Sequence, residues 1–118
     1  LQQNARQGME AMINELRETS NIQISVLDSD SDRIVFDSYK GAGMQYYRDV
    51  SDVNSDGVVN QIIRQDPSGS RKVLANDIAR LKFSHSSPYL TIEIRVDKTV
   101  KQKPLSLSLK EGVALRNE

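Results

Sequence analysis

The chain has no cysteine, no tryptophan, one histidine, three prolines and six aromatic residues among 118. Without thiols there is no disulfide, no cysteine nucleophile and no thiolate ligand for zinc, and a single histidine leaves little of the usual acid–base repertoire. The sparse aromatics offer no cage for a quaternary cation. Charge of one sign is also missing, since sixteen Lys and Arg face sixteen Asp and Glu. With 37% hydrophobic residues the chain is neither a disordered acidic tail nor a globally basic nucleic-acid binder, and no nucleic-acid partner is expected. Apolar runs are only a few residues long, far below the roughly 20 that cross a bilayer as a helix. The sequence opens on Leu1 and runs at once into a helical pattern, so it reads as a processed or truncated piece whose upstream part is removed.

The segment 1–21 places Leu1, Ala5, Met9, Met12, Ile13 and Leu16 at spacings of three and four, one face of an amphipathic helix expected to run from 1 to about 20. Thr19, Ser20 and Asn21 supply its polar stop. Such a helix is marginal alone and needs a surface to cover. Met9, Met12, Ile13 and Leu16 are the residues expected to pack it against a sheet.

From residue 21 to 118 the pattern is β-rich, within a single domain. Ile22, Ile24 and Val26 alternate with polar residues, as do Ile34 and Phe36 beyond an acidic turn at 28–32. Met44 to Arg48 and Val58 to Arg64 read as strands, with a turn at 65–70 between the latter and a short extended piece at Lys72 to Leu74. Ile78, Leu81 and Phe83 form a mixed pattern, whereas Leu90, Ile92, Ile94 and Val96 alternate cleanly, and Leu105, Leu107 and Leu109 alternate with serines. Consecutive Tyr46 and Tyr47 should face opposite ways, one to the core and the other to the surface or an interface. One wet face per strand and no helices between strands predict an antiparallel sheet, hence an α+β fold with the N-terminal amphipathic helix packed on it.

The charge is unevenly distributed. Residues 28–66 hold eight Asp against four basic groups, and residues 67–118 hold ten basic against five acidic groups. Asp52, Asn54 and Asp56 stand at alternate positions, followed by Gly57, Val58 and Asn60. A hard cation such as calcium takes six to eight oxygen ligands, so side-chain oxygens at 52, 54, 56 and 60 plus the Val58 carbonyl form a candidate Ca2+ loop. Position 12 of that pattern is Ile63 where an EF-hand needs a bidentate Glu, so a full EF-hand is rejected, and Asp49 would have to supply an outside carboxylate. The competing reading is a polar turn in which Asx side chains cap their own backbone. The 28–32 run, with Asp28, Asp30 and Asp32, is a weaker candidate of the same kind. His85 lies among Ser84, Ser86 and Ser87, yet no nucleophile elbow accompanies it and a Pro-containing turn explains the run, so no catalytic residue and no enzyme activity is expected. Arg71, Lys72, Lys98, Lys101, Lys103 and Lys110 could make a basic patch, read here as a solvated face.

The order of Met12-Ile13-Asn14-Glu15-Leu16-Arg17, Ile34-Val35-Phe36, Tyr46-Tyr47-Arg48, Val73-Leu74-Ala75 with Ile78, Leu81 and Phe83, and Val113-Ala114-Leu115-Arg116-Asn117 resembles the soluble part of type IV pilin-like proteins. The likeness is to minor pilins and the minor pseudopilin J of type II secretion. It implies a pilin-like fold and an apolar helix upstream of Leu1 that anchors the precursor in the inner membrane. It also implies a periplasmic or extracellular domain whose partners are other minor and major pilins or pseudopilins. The function it implies is structural, initiating or capping assembly of a pilus or secretion pseudopilus. The alternative from the residues themselves is a calcium-stabilised extracellular binding or adhesion module.

Overall fold

A computed structural model describes residues 2–28 and 30–116. Leu1 of the helical stripe, Ser29 of the acidic turn, Asn117 of the terminal segment and Glu118 lie outside the described residues. Helix α1 spans Gln2–Leu16. It stops four residues short of the expected boundary because the Thr19 hydroxyl donates to the Leu16 carbonyl at 2.7 Å, and Asn21 then turns the chain with φ 54°.

Eight strands follow: β1 Ser20–Ser25, β2 Arg33–Ser38, β3 Gly41–Asp49, β4 Gln61–Gln65, β5 Arg71–Ala75, β6 Ile78–Ser86, β7 Tyr89–Val100 and β8 Lys103–Ala114. The first five form one antiparallel meander in sequence order, and β6, β7 and β8 form a second. The chain changes sheets at Asn76-Asp77. Asp77 takes φ 61°, Ala75 and Ile78 on either side are both buried, and the Ile78 N–H donates to the Asn60 carbonyl at 2.8 Å instead of pairing with β5.

β6 then lies across β1 to β4, and α1 bridges β5 and β8, the outermost strands of the two sheets. Gly8 allows this approach. A Cβ there would meet the Ala75 Cβ at 3.1 Å and the Leu74 carbonyl oxygen at 3.2 Å. Met9, Met12 and Leu16 are buried in one cluster with Ile34, Phe36, Met44, Tyr46, Leu81, Phe83, Ile92 and Val96, while Ile13 is half-buried at its margin. Each large side chain fully removed from water contributes about 1.5–3 kcal/mol, which offsets the ordering of a helix too short to persist alone.

This architecture corrects the expected α+β, pilin-like fold. Among the described residues the protein is mainly β, with two antiparallel sheets and one helix of 15 residues, rather than a long N-terminal helix laid on a single sheet. The physical reason is the sheet switch at Asp77. Period-two alternation is the same whether a strand joins the sheet before it or starts another.

Local departures have local causes. Ile78 and Leu81 are both buried at an odd spacing because the register slips between Ile78, opposite Val96, and Arg80, opposite Arg95, so a bulge returns Leu81 to the core face. Tyr46 and Tyr47 are both buried, contrary to the expected split. The Tyr46 ring stacks 5.1 Å from Phe36 on one face of β3, and the Tyr47 hydroxyl donates to Gln65 Oε1 at 2.8 Å on the other. On that second face Tyr47 stands between its strand partners Arg33 and the buried Ile63.

Candidate functional site

The connections β1–β2 and β3–β4, the β5–β6 corner and the tip of the β7–β8 hairpin all emerge at the end of the molecule where α1 begins. Antiparallel order brings them there, and Asn4 on the first turn of α1 accepts from the Asn76 N–H at 2.7 Å. Arg48, near the end of β3, ties the first three of these segments together. Its Nε donates to the Ile78 carbonyl at 2.6 Å, Nη1 to Asp28 at 3.0 Å and Nη2 to Asn60 Oδ1 at 3.1 Å. A planar guanidinium with fixed donors suits such a three-way clamp. Arg80 extends the arrangement by pairing with Asp30 at 3.1 Å.

The rim around this clamp is mixed apolar and charged. Val26 and Leu27 of the first loop, Val50 and Val59 of the second, and Val100 at the hairpin tip are exposed. Asp28 and Asp56 stand among them, with Lys98, Lys101 and Lys103 on the hairpin. Five apolar side chains are thus exposed on the loops and hairpin of this end, interspersed with charges of both signs. Sequence reading missed this set, because Val26, Val50 and Val59 lie far apart along the chain and only the antiparallel order brings their connections to one end.

The candidate calcium loop lies at the same end, held by its own hydrogen bonds. Asp52 accepts the N–H groups of Asp56 at 3.1 Å and Gly57 at 2.7 Å, and Asp56 accepts the Val58 N–H at 2.9 Å. Asn54 Oδ1 accepts from Gln61, and Asn60 Oδ1 holds Arg48. Gly57 and Asn60 take φ 87° and 61°, as tight turns of this type require. Asp49 accepts the Ser51 N–H and hydroxyl at 2.9 and 2.6 Å. The Asp56 carboxyl is held below its ordinary value, chiefly by the Val58 N–H. No group of three His, Cys, Asp or Glu placed to hold a metal occurs among the described residues.

The loop therefore responds to loss of Asp52 as a capped turn does. Asp52→Ala should lower stability by about 1 kcal/mol and speed amide exchange at Asp56 and Gly57. Repeating the unfolding curves with millimolar calcium separates the two readings. Calcium raising the wild-type midpoint but not that of the variant would identify a cation site, and equal curves a turn.

The three carboxylates at 28–32 diverge. Asp28 goes to Arg48, Asp30 to Arg80, and Asp32 turns inward to accept the Leu27 N–H at 2.7 Å and the Asp28 N–H at 3.1 Å. His85 is exposed on β6 opposite Leu90, and its strand neighbours Ser84 and Ser86 point to the other face. The six basic residues do not share one patch. Arg71 and Lys72 start β5 in the first sheet, Lys98, Lys101 and Lys103 sit at the hairpin tip, and Lys110 faces Glu93 at 3.6 Å.

A second polar constellation went unread in the sequence. Glu15, only 7% exposed, receives Arg64 Nε and Nη2, each at 2.8 Å, together with the Tyr46 hydroxyl and the Ser38 hydroxyl. Burial pushes the Glu15 carboxyl up, but the hydrogen bonds from Arg64 and Tyr46 and the Arg64 charge outweigh it, and the group sits below its ordinary range. Burial and the adjacent Glu15 raise the Tyr46 hydroxyl. The cluster borders an open depression of about 240 Å³, which Glu15, Tyr46 and Arg64 line together with Tyr39, Lys40 and Lys72. Every Glu15 contact joins α1 to β2, β3 or β4, so the cluster fastens the helix to the first sheet.

Comparison with known proteins returns no match: no family model, no curated sequence and no solved structure is significantly similar to the chain. No helix among the described residues is long and apolar enough to cross a membrane.

Proposed function

We propose that this chain is a structural assembly subunit, acting through protein–protein contact, of the kind found as minor subunits in type IV pili and type II secretion pseudopili. The observation that carries the reading is the rim at the α1-start end, where Val26, Leu27, Val50, Val59 and Val100 are exposed beside both charges. Burying such a rim against a neighbour supplies area, and the charges select orientation. The order of the segments around Glu15, Phe36, Tyr46 and Val73 in the sequence supports the choice of family. On this reading the partners are other pilins or pseudopilins, and the domain works outside the inner membrane, reached through an apolar helix upstream of Leu1.

The test is substitution of the rim in the native cell. Val26→Asp combined with Val59→Asp changes two exposed loop positions and should leave the unfolding free energy within about 0.5 kcal/mol of wild type. It should reduce filament number or secretion at least tenfold, and abolish crosslinking of a photoreactive residue at Val50 to a pilin-like neighbour. Unchanged filaments and secretion on deletion of the whole gene would overturn the reading.

A further inference from the structure

The β7–β8 hairpin turns on Lys101-Gln102, with φ 50° and 64°, between the facing residues Val100 and Lys103. In a two-residue hairpin of this kind the flanking pair exchanges main-chain hydrogen bonds, and the pattern alternates from there. Lys103, Leu105, Leu107, Leu109 and Glu111 thus bond to β7. The N–H and C=O groups of Ser106, Ser108 and Lys110 point outward, and Pro104, which has no N–H, occupies an outward position. No other strand pairs with β8 on that side among the described residues.

The outward edge is self-complementary. If two copies of β8 run antiparallel with Leu107 facing Leu107, Ser106 meets Ser108, Leu105 meets Leu109 and Lys103 meets Glu111, each twice by symmetry. The outward main-chain groups of Ser106 and Ser108 then fall in a hydrogen-bonding pair, giving about six main-chain bonds in all with Lys110 and the Pro104 carbonyl. Sliding the register by two residues sets Lys103 against Leu109 or Val113 and loses both ion pairs.

A groove of about 60 Å³ lies where this strand would arrive, between α1 and β8, lined by Arg6, Met9, Glu10, Ile13, Leu109 and Glu111. Leu105 is exposed and on the same sheet face as the half-buried Leu107 and Leu109. In the stated register the second copy's Leu105 comes beside Met9, Ile13 and Leu109, and its Lys103 beside Glu10 and Glu111. An apolar floor, with Glu10 and Glu111 outnumbering Arg6 at its rim, meets a strand that presents leucine and then lysine.

We infer that β8 pairs edge to edge with β8 of a second copy, joining the two three-stranded sheets into one six-stranded sheet across a two-fold axis. The inference goes beyond the assembly role above and stands without it. It rests on register, charge and the groove, whereas that role rests on the loop rim. Because a two-fold contact closes on itself, it yields a dimer rather than a filament.

The absence of native cysteine makes the test direct. Under mild oxidation of the 118-residue chain, Leu107→Cys should form a disulfide dimer, since facing Cβ atoms in such a pair lie within bonding range. Leu105→Cys mixed with Leu109→Cys should crosslink at least tenfold faster than either alone. In sedimentation, Lys103→Glu and Glu111→Lys should each weaken wild-type self-association at least tenfold, and the double variant should restore it. A wild-type chain that remains monomeric at 200 µM overturns the inference. So does a Leu107→Cys variant no faster to crosslink than Ser84→Cys, or pairing found only with a different protein.

Discussion

Arg64→Ala should lower stability by about 3–5 kcal/mol at neutral pH, because it leaves the Glu15 carboxylate buried without its counter-charge. The bidentate contact at 2.8 Å and the low exposure of Glu15 make this a desolvated pair rather than a surface one. Replacing Glu15 with Gln should cost less than Arg64→Ala, since the amide still accepts from Tyr46 and carries no charge. Equilibrium urea unfolding reads both.

The pH dependence separates the variants further. In the wild type the folded Glu15 pKa lies below its ordinary value of 4.5, so its contribution is present above that value and is lost as pH falls through the lowered folded one. In Arg64→Ala, burial dominates and the folded pKa rises above the unfolded one, so acidification relieves the penalty. The gap between wild type and variant should therefore narrow from pH 7 to pH 4. A gap that stays constant or widens would show that Arg64 acts through packing alone.

Phe83→Ala should destabilise the protein by about 3–5 kcal/mol, with an unchanged dependence on urea apart from its midpoint. Phe83 is buried on β6, the strand that lies across the first sheet, and its own N–H donates to the Ser31 carbonyl at 2.8 Å. Truncation leaves a cavity between the two sheets where neither can collapse without breaking its own register. Leu105→Ala, at an exposed hairpin position, is the matched comparison, and below the dimerisation concentration it should stay within about 0.5 kcal/mol of wild type. Equal losses at both positions would place the cooperative core elsewhere.

Much of the local structure was legible because strand and helix periods are properties of neighbours. The alternation from Leu90 to Val96 marks β7, and the stripe of Met9, Met12 and Leu16 marks the buried side of α1. Serines between Leu105, Leu107 and Leu109 likewise mark a strand with one wet side, although its full extent of 12 residues emerges only from pairing with β7. The bulge at Ile78 to Arg80 shows the limit, since one extra residue shifts the period and makes a real strand read as mixed.

The candidate site was far less legible. Asp52, Asn54 and Asp56 have the spacing of a cation loop and of a capped turn alike, and side-chain spacing alone does not say whether an oxygen faces an ion or its own backbone. Glu15 and Arg64, 49 positions apart, carry no mutual signal in the sequence. Arg48 likewise looks like any strand arginine until three segments converge on it.

What the sequence determined by itself, then, is the exclusion of thiol chemistry, the apolar face of α1 and the segments able to be strands. All of these depend on composition or on residues within a few positions of one another. The tertiary structure decided that the strands divide into two sheets at Asp77, that the half-buried Arg64 covers the buried Glu15, and that loops distant in sequence bring their exposed valines to one end. These depend on desolvation and strand pairing between residues distant in the chain, where a period of two or 3.6 carries no information. The cysteine-free composition keeps its meaning as an exclusion, and the folded β8 edge turns it into an experimental opening for a single introduced thiol.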